Sequence, residues 1–320
     1  MTLYGVADLG YNTNKLTDGA TVTSKKTGLN SIASGSRFGV KGTEDLGGGL
    51  KANFLMEYSV QPDESTTSMA NRQSYVGLSG NFGALNLGRQ YTQIHGVQGA
   101  FDANGNATAA GWLGGGTSTV RQSNAIVYTT PNFSGFTAAL ELGHAEVAQT
   151  SSVTGNAGNT TALGLNYANG PLTVKAATET IKLTALSYAA PGIASAVALS
   201  DALANRKANS IGASYDLGVA KLMAVSTSAK AGSAADNGKV TTTNFGVSVP
   251  MGAVTLNATA SNGKYVDGGA ASVKTSGFQA GANYSLSKRT TAYALLGTGK
   301  NKATTETKHD TFAIGVRHTF

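Results

Sequence analysis

Leu50-Lys51-Ala52-Asn53-Phe54-Leu55-Met56-Glu57-Tyr58-Ser59-Val60 decides the fold class. Leu50, Ala52, Phe54, Met56, Tyr58 and Val60 fall on one face, and Lys51, Asn53, Glu57 and Ser59 on the other, with Leu55 the exception. A period of two is the mark of a strand with one apolar and one polar side. The same pattern recurs in 136–142, 244–249, 254–261 and 309–320. Two architectures produce it. A soluble sandwich hides the apolar face in a core, whereas a membrane barrel turns it to lipid and surrounds water with the polar face. The apolar faces here are rich in small residues, which would fill a sandwich core poorly. Tyr58, Tyr128 and Phe320 stand near strand ends, as interfacial aromatic girdles do.

The spacing of the connections adds to this reading. Seven short ones fall near 43–49, 80–83, 131–135, 169–171, 216–219, 250–252 and 285–288. Eight longer stretches alternate with them, near 12–33, 61–71, 92–120, 146–159, 185–207, 231–239, 262–272 and 300–308. This rhythm predicts sixteen antiparallel strands in one all-β domain spanning residues 1–320, with both termini on the same side. A barrel with short turns on one rim and long loops on the other has that rhythm.

Composition agrees. The chain holds 42 glycines and 5 prolines, and 13% of its residues are charged, against about 25% in an ordinary soluble domain. There is no cysteine, which excludes a disulfide framework and thiolate metal sites. Lysine and arginine total 24 and aspartate and glutamate 17, a net +7. The positive charge is scattered, with no basic run to track a nucleic acid; a net positive field instead favours anions entering a pore. No apolar run approaches the roughly 18 residues of a membrane helix. Thr2-Leu3-Tyr4-Gly5 already reads as a strand, so Met1 is expected to be an initiator placed before a processed chain.

Enzyme motifs are missing. His95, His144, His309 and His318 form no metal-binding spacing. Gly47-Gly48-Gly49 and Gly114-Gly115-Gly116 lack the Lys-Ser/Thr of a phosphate loop and read as a tight turn and a loop tip. No metal, cofactor or nucleic-acid partner is expected.

Longer motifs carry a family resemblance. Leu3-Tyr4-Gly5-Val6, the run from Ser36-Arg37-Phe38-Gly39 through Thr43-Glu44-Asp45-Leu46-Gly47 to Ala52, and Leu78-Ser79-Gly80-Asn81-Phe82-Gly83 followed by Leu87-Gly88-Arg89 are similar to Gram-negative general porins, above all the neisserial and beta-proteobacterial branch. Tyr128-Thr129-Thr130-Pro131-Asn132-Phe133-Ser134-Gly135-Phe136, Leu286-Ser287-Lys288-Arg289-Thr290 and Gly315-Val316-Arg317-His318-Thr319-Phe320 extend the match over the whole chain. The resemblance implies a sixteen-stranded transmembrane barrel, a homotrimer, and a third loop, about 92–120, folded into the lumen. It also implies an arginine ladder at the constriction, matched here by Arg37, Arg72 and Arg121. Where relatives carry a lysine on the first strand, this chain has Val6, with Asp8 two residues on.

The expected activity is passive diffusion of small hydrophilic solutes across the bacterial outer membrane. Asp102, the one acid in the 92–120 loop, would be the counterweight to the three arginines, leaving a net positive constriction and a preference for anions. Lys41 shares the face of Arg37 and would add to that wall; Lys51 and Glu57 share a polar face and would partly offset each other. Trp112 is expected to pack within the loop. Phe320 ends the chain as an assembly signal or an interfacial aromatic. Outer-membrane lipid and lipopolysaccharide are expected neighbours. Two alternatives remain open: a channel specialised for organic anions such as carboxylates, suggested by the arginine cluster, and a surface adhesin or receptor, suggested by long polar loops.

Overall fold

The computed structural model describes residues 1–64, 70–104, 119–145, 158–182, 205–233, 236–266, 272–302 and 305–320. In chain order these form β1 (Thr2–Asp18), β2 (Thr21–Asn30), β3 (Arg37–Gly47), β4 (Leu50–Ser59), β5 (Ala70–Gly80), β6 (Gly83–Tyr91) and helix α1 (Gln93–Ala100). There follow β7 (Arg121–Thr129), β8 (Phe136–Gly143), β9 (Thr160–Asn169), β10 (Leu172–Lys182), β11 (Asn205–Asp216) and β12 (Lys221–Ser233). The chain ends with β13 (Asp236–Met251), β14 (Val254–Val266), β15 (Val273–Ser285), β16 (Thr290–Lys302) and β17 (Glu306–Thr319). Among the described residues no helix is long and apolar enough to cross a membrane.

Every neighbouring pair is antiparallel, and β17 returns to pair with β1 from Val6↔Thr319 to Asp18↔Thr307. The sheet is therefore closed. β2 and β3 are two halves of one barrel strand: β2 pairs with β1 from Gly10 to Asp18, and β3 pairs with it from Thr2 to Val6. Counted so, the seventeen segments make sixteen strands.

The burial pattern settles which architecture the alternation built. Large apolar side chains such as Ile211, Phe245, Leu256, Phe278, Leu296 and Phe312 are exposed. Their alternating neighbours Ser210, Asn244, Asn257, Gln279 and Thr311 are buried. A soluble sandwich would show the reverse. Here the exposed side is the lipid wall and the polar side lines the lumen. At the short-turn rim Tyr215, Tyr284 and Phe320 are half-exposed, and Phe136 stacks on Tyr167 with centroids 4.3 Å apart, forming an aromatic girdle.

All seven short turns fall where the spacing placed them. At the first, Gly47, Gly48 and Gly49 have φ of 87°, 59° and 81°, a left-handed run that only glycine sustains cheaply. The longer connections differ from expectation. The stretch 12–33 is mostly a hairpin, β1 and β2 joined at Gly19-Ala20, and β12 and β13 run to within 234–235 of each other. Likewise β14 reaches Val266 and β16 reaches Lys302. Beyond the membrane both faces meet water, so these segments lose their apolar side, as the exposed β2 shows. Their ladders continue without the periodicity that would reveal them.

Residues 31–36, between β2 and β3, turn into the lumen. Ile32 and Ala33 pack on Tyr293, Leu295 and Ala313 of the inner wall. Asp8 holds the segment: its Oδ2 accepts from Ser34 N at 2.7 Å and its Oδ1 from the Tyr293 hydroxyl at 2.8 Å. At the closing seam Gly10 faces Gly315, and a Cβ on either would meet the Tyr293 ring or hydroxyl. Phe320 closes the same seam through Gly5 N to Phe320 O (3.0 Å) and Phe320 N to Gly5 O (3.2 Å). Overpacking a filled site costs about 1–3 kcal/mol. Gly10→Leu is thus expected to displace Tyr293 and lower the temperature at which the barrel unfolds in detergent, read as the loss of its compact electrophoretic form on heating.

Candidate functional site: an arginine cluster on the inner wall

Glu57 on β4 gathers the cluster. It pairs across the ladder with Gly39, whose missing side chain leaves room for the ring of Tyr4. The Tyr4 hydroxyl donates to Glu57 Oε2 at 3.0 Å. Arg37 Nε lies 3.4 Å from the same oxygen, and Arg72 Nε donates to Oε1 at 2.7 Å. One buried carboxylate thus holds two guanidinium groups from β3 and β5. Arg37 is also fixed behind: its Nη1 donates to the carbonyls of Ser34 (2.7 Å) and Gly35 (2.9 Å). The segment that Asp8 anchors is the one that orients Arg37.

Tyr91, the last residue of β6, joins the third arginine. Its hydroxyl oxygen accepts from Arg72 Nη2 at 2.9 Å and Arg121 Nη2 at 3.3 Å. The Arg121 guanidinium carbon lies 4.8 Å from the Tyr91 ring centroid, a cation–π contact. Strict alternation would put Arg72 on the lipid side with Val76 and Leu78. The β4–β5 register instead shifts between Glu57↔Gln73 and Tyr58↔Asn71, so Arg72 is the extra residue of a bulge and swings inward. β7 carries a second irregularity at Asn124, φ 50°, opposite Arg89.

Helix α1 lies against the inner wall of β9 to β12, with His95 stacked on Tyr91 at 4.9 Å. The Thr92 hydroxyl caps it by accepting from His95 N at 3.2 Å. Ile94, Val97 and Phe101 pack on Ala177, Ala208, Met223, Val225 and Ala229. Ala208 is fully buried whereas Ile211, on the opposite face of β11, is 58% exposed, so the helix occupies the lumen side. Glu141 Oε2 accepts from Gln93 N and Nε2, both at 3.2 Å, tying the helix start to β8. Residues 92–104 of the third loop therefore line the lumen, while Trp112 and Gly114-Gly115-Gly116 lie outside the described residues.

The remaining expected residues are placed as follows. Asp102 is buried against β15, accepting from Gln279 Nε2 at 3.3 Å and Asn104 N at 3.0 Å. The carboxylate within reach of Arg37 and Arg72 is Glu57. Lys41 is on the Arg37 face, its Nζ 5.1 Å from the Tyr4 ring centroid. Lys51 stands opposite Asp45 beside a short turn, about 20 Å along the strand from Glu57 at 3.3 Å per residue. Glu57 therefore balances arginines rather than Lys51. Tyr4, Ser34 and Tyr91 carry no site signal in the sequence beyond membership of the inward face or a strand end, and Asp8 stands out there only as a departure on the first strand.

This geometry defines the class: a closed transmembrane barrel around a charged, water-facing lumen. The chain belongs to the Gram-negative porin family, whose model matches residues 1–304. It is 33% identical to outer membrane porin protein 32 of Delftia acidovorans, over 94% of this chain and 84% of that one. An outer membrane porin of Bordetella pertussis is 29% identical over 100% of this chain and 94% of its own length. Among solved structures, an anion-selective porin from Comamonas acidovorans superposes with a TM-score of 0.81 at 28% identity, covering 100% of this chain and 99% of that one. The protein is thus a bacterial outer-membrane barrel.

Burial first, then the nearby Arg121 and Arg72 charges, lower the pKa of His95 to about 4. It stays neutral above that and gains charge only below it. Wild type and His95→Gln are expected to show the same ion selectivity between about pH 5 and 8. Below about pH 4, wild type should become more anion-preferring than the variant, as measured by reversal potential.

Proposed function

We propose that this porin is a diffusion channel whose preference for anions is set by Arg37, Arg72 and Arg121. The observation that carries this is the uneven charge of the cluster: two guanidinium groups on one carboxylate, Glu57, and a third, Arg121, joined to them through Tyr91, three positive against one negative. Arginine remains protonated at any working pH. Fixed charge on a narrow, low-dielectric wall raises the local concentration of the opposite ion. Residues 92–104 fill part of the lumen along β9 to β12, starting beside the cluster at Tyr91, and the solved relative described as anion-selective shares the whole barrel. Lys41 adds positive charge along the same face, and Asp102 acts from the loop side.

The cluster also supports a narrower reading. Glu57 is itself a carboxylate held by two guanidinium groups, which supports a wall able to receive carboxylates. Small organic acids would be favoured over chloride if they engaged Arg121 or the outer edge of Arg37. The adhesin alternative falls on the long connections, which lie partly outside the described residues. The protein is further proposed to act as a homotrimer, part of its outward wall buried between copies.

Arg37→Glu is expected to move the reversal potential in a salt gradient toward cations, and Glu57→Gln toward anions. An unchanged ratio in both would remove the cluster from selectivity. Single insertions into a planar bilayer should raise conductance in groups of three equal steps. Concentration-dependent current block by a small carboxylate, absent with chloride alone, would favour the organic-anion reading.

A further inference from the structure

A cavity of about 260 Å³ lies inside the barrel beneath helix α1, toward the short turns. Its roof is the helix face of Gln93, Gly96 and Val97. Its wall is a row of direct ladder partners: Thr137 on β8 faces Asn166 on β9, and Asn166 faces Lys175 on β10. Thr129, at the far end of β7 from Arg121, adds a hydroxyl. The row stops at Gly212, the β11 partner of Lys175, because the Phe101 ring takes the place that a side chain there would fill. Glycine opens the cavity on the helix side: a Cβ on Gly96 would meet nothing within 4 Å. The arginine cluster contributes nothing to this lining.

Lys175 is half-buried and, among the described residues, has neither an ion pair nor a hydrogen-bond partner. The acids on the inward faces of β8 and β10 are already engaged: Glu141 accepts from Gln93, and Glu179 pairs with Arg206 at 2.7 Å. No acid occurs among the described residues that line the cavity. Asn166 Nδ2 donates to Thr137 Oγ1 at 3.4 Å, which leaves the Thr137 hydroxyl proton and the Asn166 carbonyl oxygen for a ligand. One end of the row thus offers a positive charge, and the other offers hydroxyl and amide groups that both donate and accept. Cross-strand neighbours stand about 5 Å apart, so the row from Lys175 to Thr137 spans about 10 Å. An extended, small polyhydroxylated carboxylate has that length and that order of groups. Chloride would use the lysine alone.

We infer that this niche binds a small sugar acid, with the carboxylate on the Lys175 ammonium and the hydroxyl groups on Thr129, Thr137 and Asn166. The site gives the carboxylate reading of the channel a solute class, and it rests on that reading only in requiring that such an acid pass the arginine cluster. A channel site must bind well enough to draw solute in and weakly enough to release it. One ammonium with neutral hydrogen-bonding partners grips a carboxylate less firmly than a guanidinium fork does, so the acid is held between the cluster and the short-turn rim and then let go.

The test is titration calorimetry of the full-length protein in detergent with D-gluconate as the probe, beside acetate, which has the charge without the hydroxyls, and glucose, which has the hydroxyls without the charge. Wild type should bind gluconate at least about tenfold more tightly than either. Lys175→Gln should weaken gluconate binding about tenfold to a hundredfold, the effect of losing a charged hydrogen bond. Gly96→Leu should weaken it comparably by filling the niche, with no change of charge. Both variants should keep the compact electrophoretic form of the barrel. Arg121→Gln should bind gluconate as wild type does while its reversal potential moves toward cations. Wild-type affinity in both Lys175→Gln and Gly96→Leu, equal binding of gluconate and acetate, or no binding of gluconate would overturn the niche. Loss of gluconate binding in Arg121→Gln alone would also overturn it, while sustaining the carboxylate reading at the arginine cluster.

Discussion

The whole structure depends on one constraint: inside a bilayer no water is present to satisfy backbone N–H and C=O groups, so each must be paired within the protein. A sheet meets that demand only by closing on itself. The β1–β17 seam is where closure happens, and the local chemistry is arranged around it. Gly10 and Gly315 face each other so that Tyr293 can lie across them and reach Asp8. Phe320 exchanges both backbone hydrogen bonds with Gly5, which has no side chain to obstruct the terminal ring. The aromatic that ends the chain therefore serves closure and the interfacial girdle together.

Closure also creates the lumen, and the lumen changes what a polar side chain is worth. On a solvated sheet face, an arginine would be a surface charge of little consequence. Here Glu57 is buried beneath two guanidinium groups and a phenol, and Tyr91 couples the second arginine to the third. Arg37 and Arg72 are each held by more than one residue, and Arg121 by the ring and hydroxyl of Tyr91, so the wall presents fixed charge rather than mobile side chains. Asp8 joins the seam to this cluster: it holds Ser34, whose carbonyl accepts from Arg37. Asp8 is thus the first-strand anchor of the inward-folded segment.

The two sides of the barrel meet different demands, and the third loop shows how they are reconciled. Along β12 the inward residues Met223, Val225 and Ala229 are apolar, although the lumen is otherwise polar, because α1 covers them. Outward, the same strand carries Ser226 and Ser228 where lipid contact would favour larger apolar groups. The strand's pattern is therefore partly inverted, for reasons that lie on neighbouring elements.

The sequence by itself determined the strand pattern, the positions of the seven short turns, the sixteen-stranded count and the family. Each rests on local information: a period of two, glycine where φ must be positive, and motifs spread over the chain. It also named Arg37, Arg72 and Arg121, all three by resemblance, and alternation alone points Arg72 toward lipid. Tertiary structure decided the rest. A bulge with no sequence signature turned Arg72 inward. Register across β3, β4 and β5 made Glu57 the partner of two arginines and left Lys51 far along the strand. The hairpins above the membrane were invisible because water on both faces erases the apolar period. Cross-strand neighbours far apart in sequence were equally hidden: Lys207, Lys230 and Lys239 meet only once the ladder fixes their register. Periodicity is a property of one strand, whereas the identity of a cross-strand neighbour belongs to the closed sheet.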